Sequence, residues 1–360
     1  MQAGVAARTE RRVMTSAADI IRKVTDREIW RRSIDRLLSR AGVDSSFFEA
    51  YDCPAPRLPE GALDYLQPSN PRLLELQERY SRLNIDAVHP SQWGKSYVQE
   101  EIPLRGFRGE TGFLWQHRDF NLPTTYLLTY YYLISQGHGS LLSLLTEDDL
   151  FGIYSVKLED GLLTRDRLDS ASEIAFLRST LPADDSDNLC VLDIGAGYGR
   201  LAHRLTQAFS NCSVLCADAI PESSFLCEYY LNVRECAPRA RMIPLDTIED
   251  VLATERVNLA INVHSFSECT PRAVAWWIRL LAAHSVPYLL IVPDSNCYTE
   301  QALICLDADG SRVDFEPLLG HSGYRRILCA PKYLEPNLQR FGLSPTHYFL
   351  YGLSCSTDHP

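Results

Sequence analysis

The stretch that decides the fold is Val191-Leu192-Asp193-Ile194-Gly195-Ala196-Gly197-Tyr198-Gly199-Arg200. An apolar, β-type run leads directly into glycines at every second position, and a helical pattern follows them. Glycines at the end of a strand permit unusual φ angles and let a ligand approach the backbone closely. Because open α/β sheets bind ligands at the carboxyl ends of their strands, we expect a ligand-binding loop at this point.

Short β-type runs alternate with helical patterns from Asn188 onward. Predicted strands cover residues 190–194, 213–217, 241–244, 257–263 and 287–292, with further strands near 311–315 and 346–351. The intervening helices include residues 199–209 and 271–284. Such alternation implies a parallel sheet with right-handed crossovers. The predicted fold is therefore α/β, a Rossmann-like doubly wound and mostly parallel seven-stranded sheet.

The part of the chain before this sheet is predicted to be helical. Helical patterns cover residues 16–42, 72–80, 124–145 (broken at 136–139) and 170–181. We predict three divisions: a disordered tail over 1–15, a helical substrate-binding and lid region over 16–169, and the ligand-binding α/β domain over 170–360.

Composition excludes several classes of function. The chain has 360 residues, a formal net charge of -11 and a pI of about 5.3. It contains no long Lys/Arg run, so a nucleic-acid partner is disfavoured, because phosphate neutralisation dominates that affinity. Its 11 cysteines include no C-x-x-C pair and are expected to be reduced thiols. With no apolar run near ~20 residues and no secretory signal, we expect a cytoplasmic protein without a membrane partner.

The D-x-G-x-G-x-G string that begins at Asp193 resembles motif I of the class I S-adenosylmethionine (SAM) dependent methyltransferases. The dinucleotide fingerprint, G-x-G-x-x-G, fits less well, since its last glycine is Arg200 here and the third glycine comes one residue early, at Gly199. The resemblance implies SAM as cofactor and S-adenosylhomocysteine (SAH) as product. Asp193 is then expected to help hold the α-amino group of SAM, directly or through water.

Two further carboxylates follow predicted strands. Asp218 lies 19 residues after Gly199 and is placed to accept the ribose hydroxyls. Asp246 follows the third strand, and the resemblance implies that it accepts the adenine amino group. The predicted cofactor contacts are Asp193, Gly195, Ala196, Gly197, Gly199, Asp218, Ala219, Asp246 and Asn262.

The fourth predicted strand runs into Asn262-Val263-His264-Ser265-Phe266-Ser267-Glu268-Cys269, where methyltransferases face the transferred methyl group. An alcohol needs to lose its proton to attack, and a neutral imidazole with a pKa near ~6.5 is a suitable base. We predict His264 as the general base, with Glu268 orienting its ring or a substrate hydroxyl. His117 is a second candidate base.

Three segments resemble the sugar O-methyltransferase family of bacterial natural-product clusters. They are residues 262–269 (N-V-H-S-F-S-E-C), 163–177 (L-T-R-D-R-L-D-S-A-S-E-I-A-F-L) and 107–120 (F-R-G-E-T-G-F-L-W-Q-H-R-D-F). The resemblance implies in-line methylation of a sugar hydroxyl on a glycosylated small molecule or a nucleotide-sugar. The residues predicted to bind this acceptor are Trp115, Gln116, Arg118 and Asp294, and no metal is predicted.

Other functions stay open at this level. The acceptor could instead be a polyketide phenol or enol, whose pKa near ~10 demands less of a base, or an amine. The remaining alternatives are a SAM-binding protein that catalyses a rearrangement or serves as a scaffold, a nicotinamide oxidoreductase, and a pure interaction module. A homodimer through the N-terminal helical region is a further expectation.

Overall fold

The computed structural model describes residues 56–88, 93–109, 111–113, 122–158, 161–181 and 188–354. They belong to one compact unit, Cys53–Pro360. The predicted tail, the predicted helix over residues 16–42 and the lid residues Trp115, Gln116, His117 and Arg118 lie outside the described residues. No helix in the described ranges is both long and apolar enough to cross a membrane.

The strands of the described residues form three sheets. They are β1 (Ser155–Leu158), β2 (Gly161–Thr164), β3 (Cys190–Ile194), β4 (Ser213–Ala217), β5 (Ala240–Met242), β6 (Leu259–Val263), β7 (Tyr288–Val292), β8 (Tyr298–Thr299), β9 (Ala302–Leu306), β10 (Arg312–Asp314), β11 (Tyr324–Pro331) and β12 (His347–Leu353). The main sheet has the order β11-β12-β7-β6-β3-β4-β5, whereas β1-β2 and β10-β9-β8 form two small antiparallel sheets.

The main sheet is parallel except for one strand. β3 to β7 pair in parallel, and β12 is antiparallel to both of its neighbours, β7 and β11. The central strands are almost fully inaccessible to solvent, which explains why they read as continuous apolar runs. The predicted fold class, a Rossmann-like doubly wound fold with a mostly parallel seven-stranded sheet, is confirmed.

Two parts of the sheet differ from the sequence-based prediction. The predicted strand over residues 311–315 forms β10, which belongs to a small sheet and not to the main one. The remaining strand of the main sheet is β11, which the sequence pattern did not reveal. Arg325 and Arg326 on this edge strand are exposed, and such charges protect an edge against pairing with another chain while obscuring the apolar alternation.

The α-helices of the described residues cover both faces of the sheet and the region before it. They are α1 (Ala62–Tyr65), α2 (Pro71–Ser81), α3 (Lys95–Glu101), α4 (Leu122–Ser135), α5 (Gly139–Leu144), α6 (Arg165–Thr180), α7 (Arg200–Ala208), α8 (Pro221–Val233), α9 (Ile248–Thr254), α10 (Pro271–Ala283), α11 (Glu316–His321) and α12 (Pro336–Phe341). The predicted break near residues 136–139 separates α4 from α5.

Helix α6 begins five residues earlier than predicted, at Arg165. The side chain of Thr164 caps it by accepting the N–H of Arg167 (3.1 Å). The first turn contains charged side chains that are buried, whereas amphipathic patterns treat charged positions as exposed. The helix crosses the predicted boundary at residue 170, so that boundary remains an interpretation of the sequence.

The helices before β3 pack directly on the α/β part. Helix α2 lies against α8, where the Tyr80 hydroxyl is 2.9 Å from Ser224 Oγ and accepts the N–H of Leu245 (3.0 Å). Helices α4 and α5 contact α6, which in turn contacts α7. The helix that follows the glycine loop is therefore held between the sheet and the N-terminal helices.

Candidate active site

A cavity opens at the carboxyl ends of β3, β4 and β6. Six of the predicted cofactor contacts line it: Asp193, Gly195, Ala196, Gly197, Asp218 and Ala219. Three residues of the predicted chemistry, His264, Glu268 and Asp294, line the same cavity. The structure thus brings together residues from the ends of neighbouring parallel strands, as the fold class requires.

Gly195 permits the turn that follows β3. Its φ is +70°, and its N–H donates to the carbonyl of Ala217 at the end of β4 (2.8 Å). A Cβ at this position would lie 2.1 Å from Ser265 Oγ and 2.5 Å from Ser265 Cβ. Only glycine therefore combines this backbone angle with the close approach of the loop after β6.

Asp218 at the end of β4 ties the glycine loop in place. Its Oδ2 accepts the N–H of Gly197 (2.9 Å), and its Oδ1 accepts the N–H of Ile220 (2.9 Å). Burial raises the pKa of Asp218 to about 6, although these backbone hydrogen bonds oppose the rise. The carboxylate is thus preorganised by the backbone and remains largely ionised near neutral pH.

Asp193 is the buried acidic residue of the glycine motif. Burial raises its pKa to about 7, and the nearby positive charge of Arg200 opposes that rise. A positive ligand group would stabilise the ionised form of this buried carboxylate. It can therefore serve as an acceptor for an ammonium group.

Two predicted cofactor contacts, Gly199 and Asn262, do not line the cavity, and their contact with a cofactor stays a prediction. Gly199 lies outside the cavity lining and is the left-handed N-cap of α7 (φ +85°), where a Cβ would meet Cys227 Sγ at 3.0 Å. Asn262 is also outside the lining. Its Nδ2 donates to the carbonyl of Ile194 (3.0 Å) and to Ser265 Oγ (2.5 Å). The glycine serves close helix packing, and the asparagine holds the loops together.

Asp246 does not line the cavity either. It is exposed, and both of its carboxylate oxygens accept hydrogen bonds from Arg79 on α2 (2.8 and 2.9 Å). The ion pair connects the end of β5 to the N-terminal helices. The predicted contact with an adenine amino group stays a prediction.

His264 begins the loop after β6 with an unusual backbone. Its φ is +66°, outside the region that most non-glycine residues adopt, and its N–H donates to the carbonyl of Val292 (2.7 Å). Its Nδ1 lies 3.5 Å from Asp294 Oδ1. Burial lowers the pKa of His264, and the charge of Asp294 partly offsets this effect. The ring is therefore neutral near pH 7.

The carboxylate beside the His264 ring is Asp294, and Glu268 has a different contact. Glu268 was predicted to orient that ring or a substrate hydroxyl, and in the structure its Oε2 accepts the indole N–H of Trp93 (2.9 Å). Burial and the neighbouring charge of Asp294 raise the pKa of Glu268 to about 8. Glu268 is accordingly protonated at neutral pH and can donate a hydrogen bond.

Several residues that line the cavity were not predicted from the sequence. Trp93 and Phe113 form an aromatic wall, with ring centroids 5.9 Å apart, and the Phe113 ring lies against Gly197. The lining also includes Arg165, Asp169 and Arg200. The R-D-R-L-D string that begins at Arg165 was conspicuous in the sequence, but nothing local indicated that it faces a cavity.

The described residues contain no cluster of side chains suited to bind a metal ion. No group of three or more His, Cys, Asp or Glu side chains lies close enough there to hold an ion. The cysteines in these ranges are free thiols. The metal-free site remains a prediction.

No protein-family profile matches the chain, and no curated protein matches its sequence. Among solved structures, mitomycin 7-O-methyltransferase is similar with a TM-score of 0.37 and 18% identity, over 52% of this chain and 56% of that one. Magnesium protoporphyrin IX methyltransferase from Synechocystis PCC 6803 with bound SAM has a TM-score of 0.37 and 13% identity, over 64% and 97%. A SAM-dependent methyltransferase from Aquifex aeolicus has a TM-score of 0.38 and 14% identity, over 51% and 89%. Similarities at this level transfer no activity, so the assignment depends on the site itself.

Proposed function

We propose that the chain is a SAM-dependent methyltransferase. The observation that carries this proposal is the pair of buried carboxylates, Asp193 and Asp218, on either side of a glycine loop at the carboxyl ends of β3 and β4. These residues fit the chemistry of SAM. An ionised Asp193 suits an ammonium group, and the Asp218 carboxylate, which is held by the N–H groups of Gly197 and Ile220, can accept a ribose hydroxyl.

When bound, SAM supplies a methyl group on a sulfonium, which an oxygen nucleophile attacks in line. The chain's own contribution begins with His264, whose neutral ring can accept the proton of a hydroxyl acceptor. Asp294 beside Nδ1 favours the tautomer with its proton there, which leaves Nε2 as the basic nitrogen. Protonated Glu268 can donate a hydrogen bond to the acceptor in the same cavity.

We propose further that the acceptor is a sugar hydroxyl on a glycosylated small molecule. An unactivated alcohol requires a base such as His264. The flat rings of Trp93 and Phe113 offer apolar surface for a sugar face, next to the hydrogen-bonding groups of Glu268 and Asp294. The H-S-F-S-E string of the loop, which resembles the sugar O-methyltransferases, supports the same acceptor class.

Calorimetric titration with SAM and SAH tests the cofactor assignment. The wild-type protein should bind both, and Asp218→Ala should weaken binding by about 100-fold or more, because two hydrogen bonds to a charged group are lost at ~1.5–3 kcal/mol each. Asp250→Ala is the matched control, since this exposed residue on α9 lies away from the cavity. Absence of SAH binding by folded wild-type protein would refute the proposal.

Mass spectrometry with CD3-labelled SAM tests the acceptor. Glycosylated compounds are incubated beside phenols and amines, and the labelled methyl group is located in any product. We expect labelling on a sugar oxygen, with turnover by His264→Ala reduced by about 100- to 10,000-fold and SAH affinity retained. Labelling of a phenol or an amine alone would overturn the sugar assignment, and an unlabelled rearranged product would overturn methyl transfer.

A further inference from the structure

The candidate base and the carboxylate beside it follow two different strands. His264 follows β6 and Asp294 follows β7, and these strands pair in parallel with Val263 opposite Val292. The pairing brings the two loops together but does not fix their side chains. The Nδ1 atom of His264 lies 3.5 Å from Asp294 Oδ1, slightly beyond hydrogen-bond length, so a small shift of either loop would separate them. The pair therefore depends on contacts that hold the two main chains.

Ser267 contacts the main chain of both members of this pair. It lies in the 3₁₀ turn Ser265–Glu268, which directly follows His264. Its N–H donates to the carbonyl of His264 (2.8 Å), and its hydroxyl oxygen accepts the N–H of Asp294 (3.2 Å). Ser267 is only 2% exposed and is not among the residues that line the cavity. It thus connects the two loops without lining the cavity itself.

Other contacts hold the loop after β7 through its carbonyl groups. The carbonyl of Asp294 accepts the N–H of Cys297 (2.8 Å). The carbonyl of Pro293 accepts the hydroxyl of Thr346 (2.6 Å). The acceptor for the Asp294 N–H is the Ser267 hydroxyl. Because an N–H in a packed loop is unfavourable without an acceptor, we expect the Asp294 main chain to move if this hydroxyl is removed.

The charge of Asp294 acts on the His264 ring, so the position of this carboxylate can be measured there. Burial lowers the pKa of His264, and the charge of Asp294 raises it. The other charged groups that act on the ring lie on α6: Arg165 lowers the pKa, whereas Asp169 and Glu173 raise it. A shift of the loop after β7 would change the contribution of Asp294 and leave theirs in place.

We propose that Ser267 is a positioning residue that holds the Asp294 carboxylate beside the Nδ1 atom of His264. The inference rests on the proposed function, because it takes His264 as the base of methyl transfer. It gives a role to a buried member of the H-S-F-S-E string that acts through another side chain. By fixing Asp294, Ser267 keeps the ring in the tautomer that leaves Nε2 basic.

NMR titration of the His264 ring tests the position of the carboxylate. Ser267→Ala removes the hydroxyl, so Asp294 should move away and the pKa of His264 should fall below the wild-type value. In an Asp294→Asn background the same substitution should leave the pKa of His264 unchanged, because the charge is already absent. Ser267→Thr retains a hydroxyl and should keep the wild-type pKa.

Ser172→Ala is the matched control. It removes another buried serine hydroxyl, which donates to the carbonyl of Leu168 on α6 and lies outside the cavity lining. The pKa of His264 should stay at the wild-type value in this variant. Turnover should fall by about 10- to 100-fold in Ser267→Ala, the range for a small misplacement of catalytic groups, whereas SAH affinity should be retained.

Four results of the titration would overturn the inference. They are an unchanged or higher pKa of His264 in Ser267→Ala, an equal decrease in the Asp294→Asn background, a decrease of the same size in Ser172→Ala, and a pKa in Ser267→Thr as low as in Ser267→Ala. The titration requires neither SAM nor an acceptor. Its failure is therefore distinguishable from failure of the proposed function, which absence of SAH binding by the wild-type protein would refute.

Discussion

Gly195→Ala tests the close approach of the two loops that form the site. The substitution adds a methyl group 2.1 Å from Ser265 Oγ, at a residue whose φ is +70°. The backbone angle alone costs about 1–2 kcal/mol for a residue with a side chain. The overlap adds about 1–3 kcal/mol, the usual range for forcing extra atoms into a packed site. We therefore expect a loss of about 2–5 kcal/mol in the free energy of unfolding.

Gly310→Ala separates these two contributions. Gly310 has a φ of +82°, but nothing lies within 4 Å of an added Cβ, so its substitution should cost the backbone term alone. Urea denaturation followed by circular dichroism measures both variants. The difference of about 1–3 kcal/mol between them is the overlap with Ser265.

A double-mutant cycle with Ser265→Gly identifies the cause. Ser265→Gly removes both atoms that the new methyl group would meet, so Gly195→Ala should cost less in that background by about the overlap term. SAH affinity should fall in Gly195→Ala and recover in part in the double variant. Equal costs for Gly195→Ala and Gly310→Ala, or no coupling with Ser265, would refute this reasoning.

Three other perturbations address the charged groups. Because the pKa of Asp193 is raised to about 7, its carboxylate gains a proton as the pH falls below that value. Calorimetry should therefore show SAH affinity decreasing by up to about tenfold per pH unit below pH 7. A SAH affinity that stays constant from pH 5.5 to 8.5 would contradict the role of the Asp193 charge. Lys332→Met leaves Asp169 with a buried charge that has lost one of its cations, so urea denaturation should show a loss of about 3–5 kcal/mol, and a change below about 1 kcal/mol would argue against the ion pair. Asp294→Asn removes the charge that raises the pKa of His264, so NMR titration of the ring should show a lower pKa than in the wild type; an unchanged or higher value would exclude the contact between the two side chains.

The sequence-based prediction was accurate where structure depends on neighbouring residues and less accurate where it depends on contacts between distant parts of the chain. Strands β3 and β4 begin and end at the predicted residues, because their apolar runs are buried on both faces and end in glycine or Asp. Helix α6 was predicted too short, since its buried charges have partners far away in the chain. Asp169 is bound by Lys332, 163 residues further along, which no local pattern reports.

The role of the loop after β6 was predicted only in part for the same reason. The position of His264 follows from the strand that precedes it, so the cavity could be expected to contain it. Its neighbour Asp294 comes from the end of β7, and the Trp93 that binds Glu268 lies 175 residues away from it. The packing between loops determines which carboxylate faces the imidazole, and this packing cannot be predicted from a single sequence.

The sequence by itself determined the doubly wound sheet and the glycine loop with Asp193 and Asp218 at its strand ends. These features depend on residue periodicity, backbone freedom and the common direction of parallel strands, which act over a few residues at a time. Only the tertiary structure decided that Gly199 and Asn262 support packing and that Arg165 faces the cavity. Those roles depend on which side chains from distant parts of the chain come into contact. The local sequence pattern predicts that charged and polar residues are exposed, whereas the packing of the chain buries several of them.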